Sequence, residues 1–237
     1  MGESIEVGRV AGLWRYPVKS MASQELREAD VSWHGVAGDR RWAFVREGRE
    51  RSGFPWLTIR QRADMLGYRP WFVEPGQPDS SATMVRTPGG IDLDVVDPAL
   101  AAELGDGARV IKQDRGVFDT MPLSLITTQT VAHLGERAGV ELDVQRFRPN
   151  LLVAAASGSP FPEDDWVGSV LRIGDLRMRV DARDKRCVVV NVDPSTRQRS
   201  REVLQTITGE REARLGVYGS TVQPGRVAIG DPVVLDP

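Results

Sequence analysis

The chain's one cysteine, Cys187, opens an apolar run and follows Arg183, Lys185 and Arg186 in the segment DARDKRCVVVNVDP. Most free cysteines in such a place are small buried apolar residues. Cations beside a cysteine favour the thiolate, the form that ligates metals or attacks electrophiles. The residue types alone leave both roles open. A lone cysteine excludes an intrachain disulfide. With only His34 and His133 beside it, the chain cannot assemble a classical four-ligand zinc site, so no zinc is expected. A ferredoxin-type centre needs four thiolates, so no internal iron–sulfur cluster is expected. A Cys–His nucleophile would need folding to bring a histidine to Cys187, and both histidines read as structural or surface residues.

Three clusters suit an anion. In YPVKS (16–20) a proline-fixed turn presents Lys19 and Ser20, a point charge and a hydroxyl that can hold a phosphate or simply face solvent. In HGVAGDRRWAFV (34–45), Gly35 and Gly38 signal a tight turn, after which Asp39, Arg40 and Arg41 lead into a strand. An arginine there can grip an anion with two donors or pair with Asp39. In QRFRPN (145–150), Pro149 favours an extended Arg148 and places Arg146 and Arg148 on one side. WLTIRQ (56–61) adds Thr58, Arg60 and Gln61, alternate residues of which would share one strand face.

The elements that must position these groups are short. Runs such as RWAFV (41–45), PWLTI (55–59), RPWFV (69–73), LLVAAA (151–156), CVVVNV (187–192) and DPVVL (231–235) read as strands between Gly- and Pro-rich turns. That pattern fits a barrel or sandwich and not a βαβ array. Helical signal is local. TTQTVAHLGERAG (127–139) has threonine caps and ends at Gly139, SREVLQTITG (200–209) is a second candidate, and 98–110 has room for one short helix. The stretch 74–90 reads as a hairpin tip or loop. The expected fold is mainly β with a few helices (α+β), divided into an N-terminal β-rich domain over 1–100 and a second domain over 101–237.

Composition narrows the function classes. The 237 residues suffice for a sizeable core, and 41% hydrophobic with 27% charged residues is that of an ordinary globular protein. A net charge of −2 from 31 basic and 33 acidic residues argues against a nucleic-acid partner. The N-terminal segment lacks a signal-peptide pattern, and no run nears the roughly 18 apolar residues a membrane helix needs. The expected location is the cytoplasm, with no membrane partner.

Taken in order, YPVKS, GDRRWAFV (38–45), LTIRQ (57–61), FRPNLLV (147–153), RCVVVNVDP (186–194), YG (218–219) and PGRVAIGDPVVL (224–235) resemble a MOSC-domain protein with its N-terminal MOSC β-barrel domain. The family includes the mitochondrial amidoxime-reducing component and bacterial relatives. The resemblance implies a molybdenum cofactor (Mo-molybdopterin), with Cys187 as the protein thiolate on molybdenum. It implies that Lys19, Ser20, Arg40 and Arg148 hold the pterin and its phosphate, with Thr127, Asn150, Lys185 and Arg186 as further cofactor-binding residues. Asp193 matches the family pattern without an assigned role. Lys185 departs from the small polar residue found two before the cysteine in reductase members, and would touch the phosphate or narrow the substrate entrance. The implied activity is an oxidoreductase that reduces small N-hydroxylated substrates, fed by a separate reductase or ferredoxin-like electron donor. The alternative is a cofactor or sulfur carrier without turnover. The chain is too short to include the aminotransferase-like sulfurase domain of related fusions, so either chemistry would be pyridoxal phosphate-independent.

Overall fold

A computed structural model describes residues 4–105 and 107–236. Strands dominate, as expected. A closed barrel of seven strands forms from β1 (Ile5–Arg15), β10 (Leu123–Thr127), β11 (Leu151–Ala155), β12 (Val170–Ile173), β13 (Leu176–Lys185), β14 (Arg214–Gln223) and β16 (Pro232–Asp236). Neighbours run β11-β10-β14-β13-β12-β16-β1, and β1 closes the ring on β11. Among the described strands only β10 and β11 pair in parallel, and helix α2 (Thr128–Ala138) lies in the crossover between them. Period-2 burial is explicit in β13, whose Leu176, Met178 and Val180 are fully buried while Arg177 and Arg179 face out. The inward residues meet Val10, Leu13, Leu151, Val153, Leu171 and Val217 in one core.

The barrel needs the N-terminal segment, because β1 pairs with both β11 and β16. Between β1 and β10 the chain builds smaller sheets. They comprise β3 (Glu28–Ser32), β4 (Gly35–Val36) and β15 (Gly225–Ala228); β5 (Trp42–Val45) and β9 (Arg109–Lys112); and β6 (Arg69–Phe72), β7 (Thr83–Arg86) and β8 (Asp92–Asp94). A second core under them gathers Val18, Met21, Phe44, Leu57, Tyr68 and Leu100. The position 100/101 falls within α1 (Pro98–Leu104), which Asp97 caps through Ala99 N–H. Helix α2 ends at Gly139 in the left-handed region, and α3 (Arg201–Arg211) covers the second helical candidate.

Two local expectations fail for identifiable reasons and a third is met in part. The valine run after Cys187 is a 3-10 turn, Val188–Asn191, not a strand; Asn191 Oδ1 accepts from Leu204 N–H and ties that turn to α3. Residues 55–59 hold only a bridge from Trp56 to Val45, because Thr58 Oγ1 donates to Gln61 Oε1 and turns the chain. Within 74–90 the expectation is met in part: 74–82 join the antiparallel strands β6 and β7 as a hairpin tip, whereas 83–86 are β7 itself, which also pairs with β8.

Candidate functional site

Tyr16 follows β1 and is fully buried; its N–H donates to Asp39 Oδ1 at 2.6 Å and its hydroxyl to Gln145 Oε1 and Pro149 O at 2.9 and 3.0 Å. The guanidinium carbons of Arg40 and Arg148 lie 4.5 and 4.2 Å from the centre of its ring. One aromatic platform thus holds two arginines from segments far apart in sequence. Asp39 Oδ2 takes Arg40 Nη1 and Asn150 Nδ2, and Arg40 Nη2 donates to Arg148 O at 3.1 Å. Arg148 Nη1 donates to Met21 O, while its Nη2 is buried with no hydrogen-bond partner among the described residues.

Backbone strain collects at the same place. Ser20, Arg40 and Arg148 have φ of +69°, +51° and +51°. Left-handed backbone at non-glycine residues costs on the order of 1 kcal/mol each and persists where surrounding contacts enforce it. Pro149 was expected to keep Arg148 extended. Instead Val144–Arg146 form a 3-10 turn and Arg148 flips to the left-handed region, so the two arginines separate. Arg146 reaches Asp193 Oδ2 at 2.7 Å and Asn191 O, while Arg148 turns to Tyr16.

A cavity of about 400 Å³ opens between the barrel end and the N-terminal sheets. Lys19, Ser20, Arg40, Arg148, Asn150, Lys185, Arg186 and Cys187 all line it. The Lys19 ammonium donates to Val117 O at 3.0 Å and pairs with Asp119. Burial pulls Lys19 below its ordinary value, whereas Asp119, which burial alone would raise, is held below the carboxylate range by Lys19. Arg148 is drawn down to about 10 by burial, with the Arg40 charge adding to the effect and Tyr16 opposing it. Cys187 is half-buried, and Arg60 Nη2 lies 3.3 Å from its Sγ. Arg60 also rests over Phe54, 4.8 Å from the ring centre.

The inner wall carries Asp184, Arg186, Tyr218 and Ser124. Burial pushes the Asp184 carboxyl up to about 6 despite Arg186 Nη1 at 2.7 Å from Oδ2 and the Tyr218 hydroxyl beside it. Ser124 Oγ and Arg186 Nη2 are buried without partners among the described residues.

Thr127 stands apart from the rest of the expected set. It does not line the cavity; its hydroxyl caps α2 and donates to Glu163 Oε2 at 2.7 Å. Asn150 reaches the wall, but Trp14 O, Asp39 Oδ2 and Ser124 N–H occupy its amide, so it acts by positioning Asp39. Asp193 makes a turn, accepting from Ser195 and Thr196 N–H as well as from Arg146. His34 is exposed and His133 packs edge-on to Phe161; neither lines the cavity. Sequence reasoning named Arg60 without assigning it to the cofactor, and left out Asp119 and Asp184. The LTIRQ segment did signal Arg60, but nothing local marked the two carboxylates.

Comparison with known proteins places these features in a family frame. The MOSC domain model matches residues 112–234, and the MOSC N-terminal beta barrel domain model matches 7–106. Mitochondrial amidoxime-reducing component 1 of Homo sapiens is 25% identical over 97% of this chain and 83% of its own length. Mitochondrial amidoxime reducing component 2 of Rattus norvegicus is 31% identical, covering 96% of this chain and 83% of its own. The molybdenum cofactor sulfurase of Drosophila grimshawi is 28% identical over 93% of this chain, which spans only 34% of that protein. Among solved structures, the YUAD protein from Bacillus subtilis shares the fold at a TM-score of 0.56 and 11% identity, covering 99% of this chain and 98% of that one.

Proposed function

The chain belongs to the MOSC domain family, and on that premise we propose that its cavity holds a molybdenum–pterin cofactor used to reduce N-hydroxylated compounds. The observation that carries this reading is a half-buried thiol lining the same cavity as buried arginine nitrogens that lack hydrogen-bond partners among the described residues. Such nitrogens are costly to bury unless a ligand accepts their hydrogen bonds. A phosphorylated pterin dithiolene fits that donor set: anion for the arginines and lysine, metal for the thiol.

Cys187 Sγ supplies the thiolate ligand, a soft donor suited to such a metal. Arg40 and Arg148, fixed on Tyr16, hold the phosphate, with Lys19 and the Ser20 hydroxyl beside them. Lys185 is exposed at the cavity edge, where its charge meets whatever enters. Phe54 and Phe118 line the same space and limit water. The bound group supplies two-electron redox chemistry, while the protein orients it and admits substrate. Removing the oxygen as water takes two electrons and two protons per turnover. The electrons come from a separate reductase or ferredoxin-like protein, since one cysteine cannot hold an iron–sulfur centre.

The test is molybdenum and pterin content of protein from a cofactor-competent host, wild type against Cys187→Ala. Near-stoichiometric molybdenum with ligation lost or altered in the variant is the expected result. Absence of both molybdenum and pterin, in a host that loads a control protein, would overturn the reading. The similarity to a molybdenum cofactor sulfurase across most of this chain favours a second reading, a carrier that binds the cofactor for delivery. Turnover of N-hydroxylated substrate with supplied electrons, against transfer of cofactor to an apo-enzyme, separates the two.

A further inference from the structure

Asp184 and Arg186 leave the end of β13 side by side, with 1% and 9% of their surfaces exposed. Arg186 Nε donates to Leu215 O at 2.7 Å and Nη1 to Phe147 O at 2.9 Å. Its remaining nitrogen, Nη2, has no partner among the described residues. Among the described residues the Asp184 oxygens accept no well-formed hydrogen bond, although Arg186 Nη1 pairs with Oδ2 and the Tyr218 hydroxyl stands close. Because Nη1 pairs with Oδ2 at 2.7 Å, the unpartnered Nη2 and the Asp184 carboxylate lie next to each other on the cavity wall.

The guanidinium is fixed in place by its surroundings. Gly216 has φ +69°, and a Cβ there would stand 3.0 Å from Arg186 Nη2 and 2.9 Å from Leu125 O. Only a residue without a side chain leaves Arg186 in this position.

A wall showing one donor beside a carboxylate is the complement of a ligand edge showing one acceptor beside two donors. The pyrimidine edge of a pterin is such an edge, with O4, N3–H and the 2-amino group in a row. Resting on the molybdenum–pterin reading above, we propose that Asp184 and Arg186 recognise this edge. Arg186 Nη2 donates to O4, and the Asp184 carboxylate accepts from N3–H and the 2-amino group. The phosphate cluster around Tyr16 then supplies affinity for any phosphorylated ligand of the right length, and this pair selects the ring. Guanine carries the same edge, so a guanine nucleotide is the natural control.

The experiment is calorimetric titration of the full chain, made in a host unable to synthesise the cofactor. The probes are 6-hydroxymethylpterin phosphate, 6-hydroxymethyllumazine phosphate and GMP. Lumazine has a second oxo group where pterin has the 2-amino group, and would turn a lone pair toward Asp184. Wild type is expected to favour the pterin over the lumazine by at least about tenfold, the usual worth of a hydrogen bond to a buried charge. In Asp184→Asn the preference should fall to about even, since a carboxamide can donate to the new oxo group. Equal binding by wild type or an undiminished preference in Asp184→Asn would overturn the edge recognition, and tighter binding of GMP than of the pterin would overturn the pterin as its ligand. The wild-type comparison needs no variant, so it stays decisive if Asp184→Asn folds poorly. Failure to bind either pteridine while molybdenum loads normally sinks the edge recognition alone. The same failure with no molybdenum loaded sinks the cofactor reading as well.

Discussion

Arg60 Nη2 sits 3.3 Å from Cys187 Sγ although 127 positions separate the two in the chain. The thiol comes from the barrel end of β13 and the guanidinium from the N-terminal LTIRQ segment, so the site is complete only when both halves are folded together. Arg60 keeps 31% of its side chain exposed, while Lys19 and Arg186 keep 7% each. Of these three it is the most accessible, and it is the one hydrogen-bonded to the sulfur.

That placement predicts a charge selectivity in the alkylation of Cys187. Anionic iodoacetate should gain over neutral iodoacetamide near Arg60, and Arg60→Leu should lower the ratio of the two rates several-fold, more in low salt than in high. With one cysteine in the chain, mass spectrometry reads Cys187 alone. A ratio unchanged by the substitution would show that Arg60 does not act on the reagent at the thiol.

Tyr16 organises the anion site from beneath, and its two halves can be separated by mutation. Tyr16→Phe keeps the ring under Arg40 and Arg148 but strands Gln145 Oε1 and Pro149 O, which lose their donor. The expected cost is about 1–3 kcal/mol in denaturant unfolding, with phosphate affinity little changed. Asp39→Asn removes the charge that Arg40 needs in a fully buried place. The same measurement should show a larger loss, about 3–5 kcal/mol, together with weaker phosphate binding. If Tyr16→Phe weakened phosphate binding as much as Asp39→Asn, the hydroxyl and not the ring would be the organising group.

Much of this site was legible because its residues sit in short segments whose chemistry is local. Lys19 and Ser20 follow a proline turn, Arg40 follows Gly38, and Cys187 follows a basic run. Closure of the barrel was legible only as a tendency toward short strands. The pairing of β1 with β11 and β16 depends on contacts across more than half the chain, which no local pattern encodes. The valine run after Cys187 misled because β-branched propensity was outweighed by tertiary bonds through Asn191. Asp184 was hidden for a different reason. Between Arg183 and Lys185 it looks like a counter-charge on an exposed stretch, and only the irregular end of β13, with register shifts on both sides, turns it inward while Lys185 faces out.

Asp184 also sets a pH dependence whose sign is fixed by its shift. Its carboxyl is raised from an ordinary value of 3.8 to about 6, chiefly by burial, with Arg186 opposing. A carboxyl raised in the folded state favours folding when protonated, so its contribution is full below the unfolded value and lost as pH rises through about 6. Asp184→Asn lacks this titration. The stability of the variant relative to wild type should grow by on the order of 2 kcal/mol between pH 4.5 and 7.5, whatever constant offset the substitution brings. Parallel stability curves for the two proteins across that window would show that Asp184 is not raised.

Thr127 provides the converse test, because the family resemblance placed it at the cofactor and the structure places it beneath α2. Its Oγ1 accepts from Thr130 N–H at 3.2 Å and donates to Glu163 Oε2 at 2.7 Å, and Thr130 Oγ1 donates to the same oxygen. Glu163 is fully buried, and burial raises its carboxyl above the ordinary range even with both hydroxyls lowering it. Thr127→Val preserves shape but removes the cap and one of the two hydroxyls on that oxygen. Losing a cap costs about 1 kcal/mol, and leaving a buried acceptor short of a donor costs about 1–3 kcal/mol. Thr127→Val should therefore be destabilised by about 2–4 kcal/mol, while molybdenum and pterin per folded molecule stay at the wild-type level. Thr127→Ser, which retains the hydroxyl, should recover most of the lost stability. A Thr127→Val protein that melts like wild type but loads less cofactor would return this residue to the site, and would mean that the hydroxyl faces the ligand and not Glu163.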